Sequence, residues 1–243
     1  MVTEQLSIGF ISPGPPTWPH YDSFTALIPE FVTFDFQGLG LYGKSLYEIT
    51  GKKQEIVSRI DELAVVKQWH AVIVIGAPTE VMNPRLLSDL KSVLKIPVTT
   101  ALGASVAALK SYQIKRLLLL TPFDNRLNGM IEDYLRAAGF EVVAPRSFAD
   151  IGQAGQLGPL AVYDLTEEAL RDAGAVDAIY FQGAVLDPLK VLEKIENDLR
   201  MTAIASNPAM LWYILSQLGR RAPISGYGRL LAEWPTAWSG ARK

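Results

Sequence analysis

Ala178-Ile179-Tyr180-Phe181-Gln182-Gly183-Ala184-Val185-Leu186-Asp187 is a short apolar run that enters a glycine and leaves through small residues. Such a run reads as a strand buried on both faces, ending in a tight turn where backbone comes close to a ligand. Ala71-Val72-Ile73-Val74-Ile75-Gly76-Ala77 has the same shape. Gly76 and Gly183 are 107 residues apart, Ile8 and Leu117 are 109 apart, and Val98 and Ala203 are 105 apart. Three landmarks in one order at nearly one offset point to a duplicated α/β unit. Two doubly wound halves facing each other through their strand ends put the site in the cleft between them.

Working outward, the first half opens with a strand from Leu6 to Ser12 that breaks into Pro13-Gly14-Pro15-Pro16-Thr17-Trp18-Pro19-His20-Tyr21, a proline-fixed loop at a carboxyl strand end. A strand over Phe31 to Phe36 follows, then a helix over Ile49 to Lys67 with Ile56, Ile60, Leu63 and Val66 or Lys67 near one face. After the strand ending at Ile75, the chain is expected to loop to a helix near Arg85 to Leu94, a strand over Ile96 to Thr100 and a helix over Ala101 to Ser111. The second half repeats the plan: strands over Lys115 to Leu120, Phe140 to Ala144 and Met201 to Ala205, and helices over Asn125 to Ala138, Glu167 to Ala173, Pro188 to Leu199 and Pro208 to Leu218. Residues 151 to 159 read as a polar, glycine-bearing loop, and Thr166 as a helix cap. The division expected is 1–113 plus 208–243 against 114–207.

Composition narrows the chemistry. Of the 243 residues, 49% are hydrophobic and 20% charged, with a formal charge of −2. That is an ordinary globular balance without the basic density that nucleic acid or an anionic membrane requires. Cysteine is absent, so thiol catalysis and thiolate metal sites are excluded, and His20 and His70 alone make a metal centre unexpected. The start of the chain has no secretory pattern and no apolar run approaches roughly 18 residues, so a cytoplasmic protein is expected. The tail with Trp234 and Trp238 reads either as a surface for a second copy in a homo-oligomer or as a loosely held end.

Several stretches in order carry a further signal: Gly38-Leu39-Gly40-Leu41, Thr121-Pro122-Phe123, Ser206-Asn207-Pro208-Ala209 with Trp212, and Gly226-Tyr227-Gly228-Arg229-Leu230. Together with the strand ends they resemble the arylmalonate decarboxylases and maleate cis-trans isomerases of the aspartate/glutamate racemase superfamily. The resemblance implies Rossmann-like halves related by a pseudo-twofold axis, no cofactor, no metal, and proton chemistry on a small carboxylate through an enediolate-like intermediate. In the racemases it implies a cysteine after the equivalent strand of each half. At those positions this chain carries Gly76 and Gln182, and Ala77, Pro78 and Phe123 stand where the decarboxylases have hydrogen-bond donors.

The candidate catalytic groups are therefore Gln182, which orients but cannot ionise, His20, Tyr21 and Asp124. Tyr42 and Tyr227 are further phenol donors, with aromatic packing as the alternative fate. Asp124 and Asp187 read as helix caps or as an acid–base pair across the cleft. The candidate substrate contacts are Pro13, Gly76, Ala77, Pro78, Thr79, Phe123, Gly183, Ala184 and Asn207, with backbone donors at Ala77, Thr79 and Gly183. Asn207 reads first as a cap, and Arg126 and Arg229 as carboxylate clamps or solvated side chains. The function expected is a thiol-independent lyase or isomerase. The alternatives are a non-catalytic protein that binds a small acid and a hydrolase or hydratase whose Asp or His activates water.

Overall fold

The computed structural model describes residues 4–15, 21–143, 148 and 151–238. The first half runs β1 (Leu6–Ser12), α1 (Asp22–Thr25), β2 (Val32–Gly38), a 3-10 turn (Leu46–Ile49), α2 (Lys53–Lys67), β3 (Ala71–Val74), α3 (Ala77–Val81), α4 (Leu86–Val93), β4 (Val98–Thr100) and α5 (Ala101–Ser111). The second runs β5 (Arg116–Leu120), α6 (Asn125–Ala137), β6 (Glu141–Val143), α7 (Ile151–Gly155), α8 (Pro159–Ala173), β7 (Ala178–Phe181), α9 (Leu192–Leu199), β8 (Thr202–Ala205) and α10 (Ser206–Gln217), and α11 (Arg229–Glu233) ends the described chain. Both sheets are parallel, with orders β2-β1-β3-β4 and β6-β5-β7-β8. The two orders are the same, as a duplicated unit requires.

The strands form where the sequence is apolar on both faces. All of β3 and β7 is buried, and so are four of the five residues of β5. Helices must then cover both sides of each sheet. Gly9 lies in the middle of β1 because the Trp69 ring lies against it: a Cβ there would come within 2.5 Å of the ring. Small residues along α5 let α10 lie close against it, and at Gly103 a Cβ would meet Leu87 at 2.7 Å. The last helix of the second half thus packs on the first half, touching β4 and β3 as well. The tail continues over the same half, where Trp234 is buried, the Trp212 indole donates to the Pro235 carbonyl at 3.1 Å, and Lys110 stands over the Trp238 ring.

Several local expectations change. The helix expected from Ile49 begins at Lys53, after a 3-10 turn, and it buries Val57 while Val66 points outward. Residues 77–81 form a turn of helix, α3, where a loop is expected, and 151–155 form α7. Thr166 is no cap: α8 already begins at Pro159, and the Thr166 hydroxyl donates to the Val162 carbonyl at 2.7 Å inside it. Asn207 does not cap α10 either, since that helix begins one residue earlier with Ala205 as its cap position.

A polar seam joins the halves. Glu80, on α3, is 5% exposed. Its carboxyl accepts from the Tyr134 hydroxyl of α6 at 2.9 Å and from the Thr100 hydroxyl at the end of β4. Beside it the Tyr180 hydroxyl donates to the Gln182 side-chain oxygen and is hydrogen-bonded to Ser105 of α5. Burial raises the pKa of Glu80, only partly offset by the Thr100 and Tyr134 hydroxyls and by Lys91. With the folded value above the unfolded one, the stabilisation is complete below the ordinary carboxylate range and is lost as pH rises through the folded value. Glu80→Gln keeps the shape but cannot titrate. Denaturant titrations from pH 4 to pH 8 are expected to show the wild type losing stability relative to this variant as pH rises; a difference that does not change with pH counts against a neutral buried carboxyl.

Candidate functional site

Four strand ends meet at one cleft of about 170 Å³. They are Ser12-Pro13 after β1, Ile75-Gly76 running into Pro78-Thr79 after β3, Pro122-Phe123 after β5, and Gly183-Ala184-Val185 after β7. The turns after β1 and β5 are the same device used twice. The Ser12 hydroxyl accepts from the Gly14 N–H at 3.0 Å, and the Thr121 hydroxyl accepts from the Phe123 N–H at 3.1 Å. In each a hydroxyl accepts from the N–H two residues on and so closes a tight turn across the intervening proline. Asn128 locks the second turn by accepting from Thr121 and donating to the Phe123 carbonyl at 3.1 Å. The first is laced to the loop after β2, with the Gly40 and Leu41 N–H groups donating to Gly14 and Pro13 at 2.8 and 2.7 Å.

Leu46 and Ile49 of the 3-10 turn, with Ile151 of α7, complete an apolar wall. The polar side chains in the lining are Ser12, Tyr21, Tyr42 and Thr79, and among the described residues no charged side chain lines the cleft. Tyr42 and Ser12 share a hydrogen bond, and the phenol lies flat on Gly14, where a Cβ would be 2.4 Å from the ring. Burial pushes the Tyr42 phenol up, and burial together with Tyr42 pushes Tyr21 up further. Both are therefore protonated donors across the physiological range. Tyr21 is edge-on to Phe10, with ring centroids 5.3 Å apart, so it is also part of the aromatic cluster of the first half.

Of the expected site residues, Pro13, Tyr21, Gly76, Pro78, Thr79, Phe123, Gly183 and Ala184 come together in this lining. Ala77 is completely buried in α3. Gln182 is elsewhere: it is 1% exposed and faces the seam, bonded to Tyr180. The strand register explains why. Ile75 donates to Ile11 at the end of β1 as Gln182 does to Leu120 at the end of β5. Gln182 is thus matched by Ile75, and the residue symmetric with Gly76 is Gly183. Both glycines hold positive φ, 81° and 110°. The residue that mirrors Gly76 is thus a second glycine, while Gln182, which the resemblance sets where a thiol acts, faces the seam.

The remaining candidates divide. Asp124 caps α6, accepting from Leu127 N–H at 2.9 Å, and takes the Tyr47 hydroxyl at 2.7 Å, so it faces a neighbouring groove and not the cleft. Its pKa is lowered despite desolvation by those donors and by Arg126. Asp187 accepts from Leu189 N–H at 3.0 Å and does not pair with Asp124. Asn207 lines a second, smaller cavity behind Gly183. Thr79 spends its N–H on Gly76 and its hydroxyl on Ile75, so it is not a free donor. His70 accepts from the Ser7 N–H at the opposite end of β1, Arg126 stacks on Tyr47, and Arg229 pairs with Glu233. His20 lies outside the described residues. Sequence reasoning missed Ser12 and the 3-10 turn; the Ser-Pro and Thr-Pro pairs at equivalent strand ends were the available signal for the former.

The family model of arylmalonate decarboxylase matches residues 15–231. A maleate isomerase of Alcaligenes faecalis is 25% identical over 155 residues, covering 63% of this chain and 61% of that protein, so the match spans about three fifths of its length. The crystal structure of an arylmalonate decarboxylase superposes with a TM-score of 0.79 at 22% identity, over 93% of this chain and 99% of that one. A Nocardia farcinica maleate cis-trans isomerase variant, solved with a covalently bound succinylcysteine intermediate, superposes with a TM-score of 0.72 at 18% identity, over 94% of this chain and 98% of that one.

The two glycines differ in the room around them. At Gly183 a Cβ would be 2.8 Å from the Pro122 ring, whereas at Gly76 the nearest atom is the Thr79 hydroxyl at 3.4 Å. Alanine at either position bears the left-handed strain of about 1–2 kcal/mol, and Gly183→Ala adds overpacking of about 1–3 kcal/mol. Denaturant midpoints are expected to order the stabilities as wild type, Gly76→Ala, Gly183→Ala. Equal losses for the two variants would mean that the Pro122 wall gives way.

Proposed function

The chain belongs to the arylmalonate decarboxylase family, and from that premise we propose that it is a thiol-independent decarboxylase of a small, largely apolar carboxylic acid that carries two carboxylates on one carbon. The supporting observation is the cleft itself: apolar, free of charged side chains among the described residues, and bounded by hydroxyl and backbone donors on one side. A carboxylate pressed into such a wall loses its hydration without gaining a cation, which raises the energy of the charged group relative to neutral carbon dioxide. The C–CO2 bond then breaks, its electron pair moves onto the α-carbon, and the retained carboxyl spreads the charge as an enediolate.

The retained carboxyl faces donors that need no ionisation. The Ser12–Tyr42 hydroxyl pair lies at the end of β1, and the peptide N–H of Ala77, the first residue of α3, lies beyond the end of β3. Such fixed dipoles act most strongly where water is excluded. Decarboxylation needs only this stabilisation and one proton. Cis-trans isomerisation through a covalent cysteine adduct needs a thiol, which this chain lacks. A second reading, a protein that binds the acid without turning it over, is favoured by the absence of any side chain titrating near neutrality from the described lining.

Incubation with disubstituted malonates in deuterated water is expected to release carbon dioxide and leave one deuterium on the α-carbon. Tyr42→Phe is expected to lower turnover about 10²-fold, as loss of one oxyanion donor does. Neither release nor exchange with any such diacid would overturn the enzymatic reading, and ligand-induced thermal stabilisation without turnover would establish the binding one.

A further inference from the structure

Behind Gly183, between the loop after β7 and the start of α10, lies a second cavity of about 10 Å³. Its wall shares Gly183 and Ala184 with the cleft, so no side chain separates the two spaces at residue 183. In the first half the matching place is apolar. Pairing of Val74 with Thr100 and of Phe181 with Ala205 sets Ala101 and Leu102 against Ser206 and Asn207. Leu102 is fully buried, and α5 is capped by the Thr100 hydroxyl, which accepts from the Gly103 N–H at 3.0 Å. The second half has neither feature: α10 has no side-chain cap, and two polar residues occupy its first turn.

Those polar groups are buried and unspent. Asn207 is 6% exposed, yet its amide has no hydrogen-bond partner among the described residues. Ser206 is 4% exposed; its oxygen accepts from the Gly183 N–H at a long 3.5 Å, and its hydrogen has no acceptor among the described residues. Asp187, partly exposed on the same wall, uses one oxygen on the Leu189 N–H at 3.0 Å and keeps the other. A volume of about 10 Å³ is the least that holds a water, and a bound water wants two to four polar partners.

We propose that this cavity is a binding site for one water molecule, held by Asn207, Ser206 and Asp187, and that this water is the proton source on the Gly183 face of the cleft. The proposal rests on the decarboxylation reading. Once carbon dioxide has left, an O–H bond of the water breaks, a C–H bond forms at the α-carbon, and the hydroxide left behind takes a proton from solvent along Asp187. Gly183 is the position symmetric with Gly76, so the solvent-derived proton arrives at the turn that mirrors Gly76.

The test pairs crystallography with kinetics on the full chain. High-resolution crystals of the wild type are expected to show a water within hydrogen-bond distance of Asn207 and Ser206, and those of Asn207→Leu, which fills the cavity, to show none. Turnover of a disubstituted malonate is expected to fall at least about 10²-fold in Asn207→Leu, with the affinity for an inert saturated monoacid unchanged. Asn207→Asp, which still accepts from a water, stays within about tenfold of the wild type. Asn207→Ala removes the amide without added bulk and stands in should the leucine variant not fold. A dry cavity in the wild type, or undiminished turnover in Asn207→Leu, overturns the proposal. Should the wild type turn over no diacid, the decarboxylase reading and the proton role fall, while the crystals still decide the water site.

Discussion

The hydroxyl of Tyr134 reaching across to the Glu80 carboxyl is the contact on which the shape of the cleft depends. The helices that carry these two residues, α3 and α6, begin at opposite walls, one just after Gly76 and the other just after Phe123. Whatever fixes the spacing of the helices therefore fixes the width of the cleft. On the outer side the pairing is reversed: Tyr47 of the first half donates to Asp124 of the second at 2.7 Å, with Arg126 over the Tyr47 ring. Each half thus offers one tyrosine and receives one on a carboxylate. The inner pair is sheltered and weakly screened, while the outer pair is exposed and contributes less.

The fold was legible wherever burial dictated composition. Runs such as Leu117 to Leu120 and Ala71 to Val74 leave no choice but a strand covered on both faces, and the near-constant offset from Ile8 to Leu117 and from Gly76 to Gly183 carries the duplication. Short elements were illegible for a physical reason. The single turns α3 and α7 have five residues each, too few to display a helical period, and their glycine and proline content reads as loop. Thr166 misled because a threonine before two glutamates looks like a cap, whereas inside a helix its hydroxyl turns back to the carbonyl four residues earlier.

The site was legible as a place, but the direction in which Gln182 points was not. Side chains alternate along a strand, so Tyr180 and Gln182 share the face toward the seam, and the residue presented to the cleft is the next one. The turn therefore shows Gly183 to the cleft and keeps the Gln182 amide in the seam. The register of the strand pairs, which no single strand reveals, resolves it. Ser12 went unnoticed because serine is common and its significance lies in the proline that follows it and in the Thr121-Pro122 counterpart 109 residues on.

The return of α10 to the first half has a mechanical consequence. A helix that leaves the second sheet and packs along α5 staples the two sheets together, and one apolar core runs from β1 through Leu117, Tyr180 and Ile204 to Trp212. With the halves sharing one core, a substitution that loosens the contact of α10 with α5 is felt by both sheets at once.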